Sequence, residues 1–536
     1  MTYIDRAVDK VVMTPPRPLL ALPLLLGLFV GGLGCPTPRG EPDPTDDDDA
    51  MDDDDAVDDD DATDDDDAVD DDDAAPEELD PFAPIPDTSE GLINTSADLE
   101  ALLEGGTLPG ACDRWSGDPA DRRDMLLCGK EMFFYEGFDG LGVPVTILDF
   151  MGNHFESTIG TGFSNYGLVP DPYSATNRPL GFPTGVPLGG NETAAFGCAQ
   201  CHFGQLPDGR YAVGYPNLEY DYAALNLALF LAPLKANPFF NPDEHHPDAL
   251  AKVQPVLDAI DADFGLSLQL VGSVLPLITV MLDSPQLTLE DQRQYASWPP
   301  GVLDAILTPA PVDDGVEAPS RILDLWSIPD EAERARFGMD SPLLAWNGDA
   351  PDLHTFLAGF VAIADGPLAE WPPERFDPLV EYIRSLRPPT NPTPPAAAQA
   401  QEGRRIFDDL AGCGDCHDGP RGQSRTVYDY DVIGTDDAYM YMGDPELVGT
   451  PCCGLDEGNP GAVLRHGLKA PRLTGLWAKG KLLHNGSVLG LDDLLCVGGP
   501  RIPVTEPVWA NHGHEFGCDT LTEEQKADLI AFLETL

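Results

Sequence analysis

The sequence predicts a mainly α-helical protein with two domains. Three observations support this prediction. The chain has 536 residues, 42% of them hydrophobic, which is enough to bury more than one core. Helical apolar patterns occur at residues 376–386, 399–410 and 520–536, and Thr522 and Gln525 fit a capping box at the start of the last pattern. A run of prolines separates the first pattern from the other two.

The proline-rich run is RPPTNPTPPAAA, residues 387–398. Proline lacks a backbone N–H and restricts the residue before it, so clustered prolines exclude a helix and favour an extended linker. We therefore predict an N-terminal domain over residues 88–388 that is enlarged by long irregular insertions. A linker over 389–398 and a C-terminal domain over 399–536 follow it.

The first 34 residues are typical of a lipoprotein export signal. The apolar run LLALPLLLGLFV, residues 19–30, is shorter than the ~20 residues that a spanning helix needs. The sequence GGLGC then ends at Cys35, which we expect to carry a lipid. The alternative is a simple secretory signal cleaved near Gly34. Either prediction exports the protein, and a lipid at Cys35 would attach it to a membrane in the periplasm or at the cell surface.

Residues 35–87 are predicted to form an acidic, disordered tether. They contain five DDDD blocks, whose mutual repulsion and lack of apolar side chains prevent folding. Binding of Ca²⁺ by these blocks is the alternative to a simple spacer. The formal net charge of −63 excludes nucleic acid as a partner and favours a basic one.

Two CxxCH motifs carry the chemistry. Their residues are Cys198, Cys201 and His202 in the first motif and Cys413, Cys416 and His417 in the second. Covalent haem c needs two thiols at this separation and an adjacent imidazole as an iron ligand. A zinc ribbon would use two CxxC pairs at one metal ion, whereas here each pair carries its own adjacent histidine. A thioredoxin-type dithiol would need a βαβ unit and no histidine. We therefore predict two haem c groups, with His202 and His417 as proximal ligands.

The other cysteines are predicted to form disulfides. Apart from Cys35 and the four predicted haem thiols, six remain: Cys112, Cys128, Cys452, Cys453, Cys496 and Cys518. An even number in an exported protein indicates up to three disulfides. Cys112 and Cys128 are the expected local pair, and the pairing of the other four is open.

Several segments resemble a known family. The run KAPRLTGLWAKGKLLHNGSVLGLDDLL, residues 469–495, resembles the segment after the second CxxCH of bacterial di-haem cytochrome c peroxidases. Its LHNGSV form resembles the rubber-oxygenase-like branch of that superfamily. So do NHGHEFG (511–517), YGLVPDPYSATNRPLGFPTG (166–185) and LLAWNGD (343–349). The resemblance covers most of residues 150–536.

This resemblance implies two c-type cytochrome domains with different roles. The N-terminal haem would be reactive, with an open distal position, and the C-terminal haem would be six-coordinate and relay electrons. His514 is the implied sixth ligand of the second haem. The alternatives are Met442, which would raise the potential, and then His512, His466 and His484.

No distal residue of the first haem can be selected from spacing. Trp298 and Trp477 are candidates for packing between or over the haems, with ordinary buried aromatic residues as the alternative. His154, His245 and His246 are expected to be surface or structural residues.

The predicted function is therefore a di-haem oxidoreductase. It would reduce peroxide or activate O2 at the N-terminal haem, with a small cytochrome or cupredoxin as redox partner. One alternative is a pure electron-transfer cytochrome with two six-coordinate irons. Another is oxidative cleavage of an unsaturated polymer or lipid.

Overall fold

The computed structural model forms a compact unit over Pro76–Leu536, distinct from Met1–Ala75. The residues that it describes are 79–140, 142–149, 151–152, 162–176, 178–188, 190–237, 239–262, 265, 268, 270–272, 287–304, 317–348, 350–364, 366–441, 467–506 and 508–536. The predicted export signal, the lipid site at Cys35 and the five DDDD blocks lie outside these residues. Among the described residues, no helix has the length and apolar content to span a bilayer.

Helices outweigh strands in the described residues, in agreement with the predicted mainly α-helical class. The α-helices are Leu99–Leu102, Ala111–Arg114, Arg122–Tyr135, Cys198–His202, Tyr222–Lys235, Pro247–Lys252, Gln254–Ala262, Leu289–Ser297, Glu331–Arg336, Leu353–Ile363, Asp377–Ser385, Ala397–Arg405, Tyr430–Ile433, Gly490–Leu494 and Glu523–Leu533. A π-helix spans Ile406–Leu410. The 3-10 helices are Glu104–Gly106, Gly162–Tyr166, Pro242–Glu244, Leu368–Glu370, Pro373–Phe376, Cys413–Asp415, Pro420–Gly422, Ala438–Tyr441 and Leu476–Ala478.

The strands of the described residues form small antiparallel sheets. Two sheets have three strands, in the spatial orders Thr95–Ser96, Tyr211–Val213, Phe203–Gln205 and Gly142–Pro144, Asn191–Ala195, Thr184–Leu188. Two further sheets are pairs, Val302–Leu303 with Ser320–Arg321 and Val427–Tyr428 with Leu468–Lys469. These short sheets fix loops against the helices.

In the N-terminal half, which precedes the proline-rich segment, the helices Arg122–Tyr135 and Asp377–Ser385 pack against each other. The second of these is the helix predicted near residues 376–386. The disulfide Cys112–Cys128 joins the first helix to Ala111–Arg114, which confirms the predicted local pair. A large apolar core surrounds these helices and includes the fully buried Trp326.

In the C-terminal half, the helices Ala397–Arg405 and Glu523–Leu533 pack closely. A side chain at Gly403 would put its Cβ 1.9 Å from the backbone oxygen of Asp528, so only glycine allows this approach. The predicted capping box is confirmed, because Thr522 Oγ1 accepts from the Gln525 backbone and the Gln525 side chain accepts from the Thr522 backbone. These helices frame the second CxxCH motif.

The proline-rich segment passes between these two parts of the unit. The indole Nε1 of Trp477 donates to the Pro389 carbonyl at 3.0 Å, and the side chain of Asn391 donates to the Glu534 carbonyl at 3.2 Å. The division into domains at residues 389–398 stays a prediction.

Candidate functional site

The second CxxCH motif lies on a tight turn at the end of a helix. The π-helix Ile406–Leu410 continues the helix Ala397–Arg405 and leads to Gly412, whose φ of 66° turns the chain. The His417 N–H donates to the Cys413 carbonyl at 2.9 Å, which folds the motif back on itself. Cys413 and Cys416 are free thiols rather than a disulfide. Both thiols are therefore available for a covalent prosthetic group.

A large cavity opens beside this turn. Its space amounts to ≈ 1340 Å³ with its open mouth included, and its walls contain Cys413, Cys416 and His417. Most of the remaining wall is apolar, with leucines such as Leu473 and Leu476. The cavity therefore combines two thiols and an imidazole with a mostly apolar wall.

His417 is prepared as a metal ligand. Its Nδ1 donates to the Gly422 carbonyl, which fixes the ring and leaves Nε2 for another bond. Burial, together with the neighbouring His514, lowers the pKa of His417 to about 4. The imidazole is therefore neutral at physiological pH, as a ligand must be.

His514 faces His417 across the cavity. The two ring centroids lie 6.5 Å apart with the ring planes at 72°. One metal atom with bonds of about 2 Å to a nitrogen of each ring fits this separation. Burial also lowers the pKa of His514, so both imidazoles are neutral.

The loop that carries His514 is held in a strained conformation. His514 has a φ of 47°, which costs about 1–3 kcal/mol in a residue other than glycine. The buried guanidinium of Arg501 stabilises the loop by donating to the carbonyls of Gly513 at 2.8 Å and His514 at 3.0 Å. The disulfide Cys496–Cys518 closes the chain around it. Cys452 and Cys453, the other two cysteines whose pairing was open, lie outside the described residues.

The other candidate ligands occupy different positions. Met442 and His466 lie outside the described residues. His512 is exposed. His484 is buried in the wall of the same cavity, and rings of Trp346, Tyr430 and Tyr439 lie around it with centroids 6.3–6.4 Å away.

A group of buried charges also lines the cavity, in contrast to its mostly apolar wall. Arg321, Arg472 and Lys479 all contribute to this wall, and their exposed fractions are 4%, 5% and 5%. Asp324 accepts from Lys479 Nζ at 2.6 Å and lies 3.7 Å from an Arg472 nitrogen. Sequence reasoning missed this group, because its two pairs of residues lie more than 140 positions apart and nothing local marks them as buried.

The first CxxCH motif forms the short helix Cys198–His202 between two strands. Cys198 and Cys201 are free, and burial raises the pKa of each thiol to about 12. Burial lowers the pKa of His202 to about 4, while the carboxylate of Asp324 acts in the opposite direction. The donor set is thus two neutral thiols and a neutral imidazole, as in the second motif.

Trp326 connects the surroundings of the two motifs. The Gly214 N–H donates to the His202 carbonyl at 2.7 Å, and the adjacent Val213 carbonyl accepts from Trp326 Nε1 at 2.8 Å. The Trp326 carbonyl in turn accepts from Arg472 Nε at 2.9 Å. A series of hydrogen bonds therefore runs from the first motif to the wall of the cavity beside the second motif.

The two tryptophans singled out from the sequence lie elsewhere. Trp298 is buried in a core of stacked rings with Tyr222 and Tyr295. Trp477 is half-buried at the proline-rich segment, with the Arg210 guanidinium 5.8 Å from its ring centroid.

Two other histidines considered from the sequence have structural roles. His245 stacks on Phe240 with centroids 5.1 Å apart, and His246 caps the helix Pro247–Lys252. His154 lies outside the described residues. In the described parts of the chain, no group of three or more His, Cys, Asp or Glu side chains is arranged to hold a bare metal ion.

Comparisons with known proteins give little guidance. No protein-family model and no curated protein matches the chain. A solved structure of Kuenenia stuttgartiensis hydrazine synthase, pressurised with xenon, is similar with a TM-score of 0.28 and 18% sequence identity. The match covers 46% of this chain and 79% of that one. A similarity this low does not establish a shared fold.

Proposed function

We propose that the chain is an exported di-haem c-type cytochrome that acts as an oxidoreductase. The observation that carries the proposal is the facing pair His417 and His514, whose ring centroids lie 6.5 Å apart beside the free thiols of the second motif. Two axial imidazoles and two thioether-forming thiols would form one kind of six-coordinate haem c site.

The chemistry of the cavity walls supports the second haem site. The walls contain two thiols, two imidazoles that face each other, and three buried cations beside Asp324. Haem c has matching parts, namely its vinyl-derived carbons, its iron and its two carboxylates. Cys413 and Cys416 would hold the first, and His417 and His514 would bind the second.

At the first site, Cys198 and Cys201 would attach the haem and His202 would bind its iron. Burial keeps this imidazole neutral, and its position beside Asp324 gives it a nearby negative charge. Haem iron supplies one-electron transfer and, where an axial position is open, binding and reduction of peroxide or O2. The family resemblance supports an open position here and a relay role for the second site.

The contacts around Trp326 support electron transfer between the sites, because they join the two motifs through buried, bonded groups. The acidic chain would receive electrons from a basic small cytochrome or from a cupredoxin. A lipid at Cys35 would attach the protein to a membrane outside the cytoplasm.

The first test is haem stoichiometry. The full chain is expressed with a haem c maturation system, and covalent haem is counted by its pyridine haemochrome spectrum. We expect two haems per chain, and one in each of the double variants Cys198→Ser/Cys201→Ser and Cys413→Ser/Cys416→Ser. A wild-type protein without covalent haem would overturn the proposal.

The second test separates an enzyme from a carrier. Cyanide and CO are added to the oxidised and reduced protein, and binding is followed by absorption and electron paramagnetic resonance spectra. Binding at one of two haems, with a high-spin ferric signal, supports an oxidoreductase with an open site. Two low-spin haems that bind neither ligand would reduce the function to electron transfer.

His514→Ala tests the sixth ligand of the second haem. We expect this variant to convert the second haem from low to high spin, because removing one imidazole opens its axial position. The matched control is His512→Ala, since His512 is exposed and two residues away. An unchanged low-spin spectrum in His514→Ala would return the role to another residue, with Met442 next.

A further inference from the structure

The wall of the cavity beside the second CxxCH motif holds more positive than negative charge. Arg321, Arg472 and Lys479 lie around Asp324, and all four side chains are at most 5% exposed. Each of the three cations lowers the pKa of the Asp324 carboxyl, which burial alone would raise. In the described parts of the chain, Asp324 is the carboxylate that pairs with this set, so two positive charges are left over.

Uncompensated buried charge is expensive. A buried ion without a partner costs several kcal/mol, and proteins retain such ions where a ligand or a counter-charge neutralises them. Burial lowers the pKa of Arg321 to about 10 and that of Lys479 to about 8. The cavity therefore favours an occupant that carries negative charge beside this wall.

Arg321 is the cation with the least compensation. Arg472 and Lys479 lie within ion-pair distance of Asp324, whereas Arg321 has no carboxylate at that distance among the described residues. Its Nε donates to the Leu483 carbonyl at 3.3 Å, and its guanidinium carbon lies 5.1 Å from the centroid of the Trp346 ring. These contacts fix the guanidinium on the cavity wall with donors to spare.

His484 lies next to Arg321, and one of its ring nitrogens has no hydrogen-bond partner among the described residues. The Arg321 backbone N–H donates to the His484 carbonyl at 2.6 Å, which fixes the two residues side by side. His484 is 3% exposed and lines the same cavity, and its buried Nδ1 has no hydrogen-bond partner in the part of the chain that the structure describes. Burial lowers the pKa of His484 to about 3, so the ring is neutral and supplies an N–H donor.

We propose that Arg321 and His484 together bind a carboxylate on the wall of this cavity. The inference rests on the proposed function, because the carboxylate belongs to the haem attached at Cys413 and Cys416. The guanidinium supplies two parallel donors that match a carboxylate, and the imidazole supplies a third. Such a carboxylate would offset positive charge that Asp324 leaves over on this wall.

The test is a redox titration of the second haem in the full-length, haem-loaded protein. Removing a positive charge beside the haem favours its ferric state. We therefore expect the ratio of reduced to oxidised second haem, at a fixed applied potential, to fall about tenfold in Arg321→Gln. Arg321→Lys keeps the charge and should recover most of this ratio.

Two further variants make the result specific. His484→Gln removes the imidazole donor and should change the carboxylate bending band of the second haem in the resonance Raman spectrum. Arg405→Gln removes an exposed cation that pairs with Glu402 and should leave both measurements as in wild type. If Arg321→Gln fails to mature, Arg321→Lys and His484→Gln still carry the Raman measurement.

The outcomes separate this inference from the proposed function. A wild-type chain without haem overturns the proposed function before any variant is compared. A chain with two haems, in which Arg321→Gln and His484→Gln titrate and scatter as wild type does, overturns the carboxylate site alone. A shift in the second haem's spectrum on adding acetate to wild type, but not to Arg321→Gln, would mean that a free carboxylate occupies the site instead.

Discussion

Asp324 is the residue through which the two halves of the compact unit share charge. It lies in the N-terminal half, yet it accepts from Lys479 at 2.6 Å and from Thr474 Oγ1 at 3.1 Å in the C-terminal half. It is also the nearby carboxylate that acts on His202. A single buried side chain therefore influences both candidate haem sites.

Replacing Asp324 with Asn should strongly destabilise the protein. The change removes the counter-charge of Lys479 and Arg472, and breaking a buried ion pair from one side costs about 3–5 kcal/mol in free energy of unfolding. The control Thr474→Val removes one hydrogen bond to Asp324 and should cost about 1 kcal/mol. Urea-induced unfolding measures both, and equal stabilities for the two variants would contradict the prediction.

The stabilities of the wild type and of Asp324→Asn should also depend differently on pH. Because the cations hold the pKa of Asp324 below its usual 3.8, the carboxylate contributes stability that is fully present above the unfolded pKa of about 3.9. This contribution is lost as the pH falls through the folded pKa. The stability difference between wild type and Asp324→Asn should therefore shrink with pH below about 4, and a difference that grows there would refute the assignment.

At the scale of elements, two helices determine where the second CxxCH motif lies. Ala397–Arg405 leads into the motif and packs on the terminal helix Glu523–Leu533. Their close approach depends on Gly403, which has the Asp528 carbonyl directly against its Cα. The sequence indicated both helices from their apolar periods, but it gave no sign that Gly403 is the point of contact.

Gly403→Ala should push these helices apart. The added Cβ would meet the Asp528 carbonyl at 1.9 Å, and overpacking of this kind typically costs about 1–3 kcal/mol. Gly480→Ala is the matched control, because a Cβ there meets no atom within 4 Å, and it should change stability by less than about 0.5 kcal/mol. Thermal unfolding followed by far-ultraviolet circular dichroism compares them, and a wild-type midpoint for Gly403→Ala would show that the helices adjust without cost.

At the scale of the whole molecule, the contacts across the proline-rich segment are extensive. Tyr215 Oη donates to the Ala478 carbonyl at 3.2 Å, Arg472 donates to the Trp326 carbonyl, and Lys479 pairs with Asp324. All three contacts are buried and join residues that are more than 140 positions apart. The cores on the two sides of residues 389–398 therefore depend on each other.

This dependence predicts cooperative unfolding of Pro76–Leu536. Differential scanning calorimetry should give one transition whose calorimetric and van't Hoff enthalpies agree. Asp324→Asn should lower the temperature of this transition without splitting it. Two separate transitions in the wild type would show that the halves fold independently.

The sequence by itself determined the features that depend on neighbours along the chain. The CxxCH spacing defines the thiol and imidazole sets around His202 and His417, because those atoms lie within five residues. Periodicity indicated the helices near residues 376–386, 399–410 and 520–536, and local spacing indicated the disulfide Cys112–Cys128. Helix caps and short loops are local, so the sequence is informative about them.

Only the tertiary structure decided what surrounds these motifs. It brought His514 opposite His417 although 96 residues separate them, and it buried Arg321 beside His484, which lies far along the chain. Charged residues are solvated in most proteins, so their sequence pattern gives no reason to expect burial. Whether an arginine faces water or a cavity depends on which distant segments cover it, and that is a property of packing rather than of local spacing.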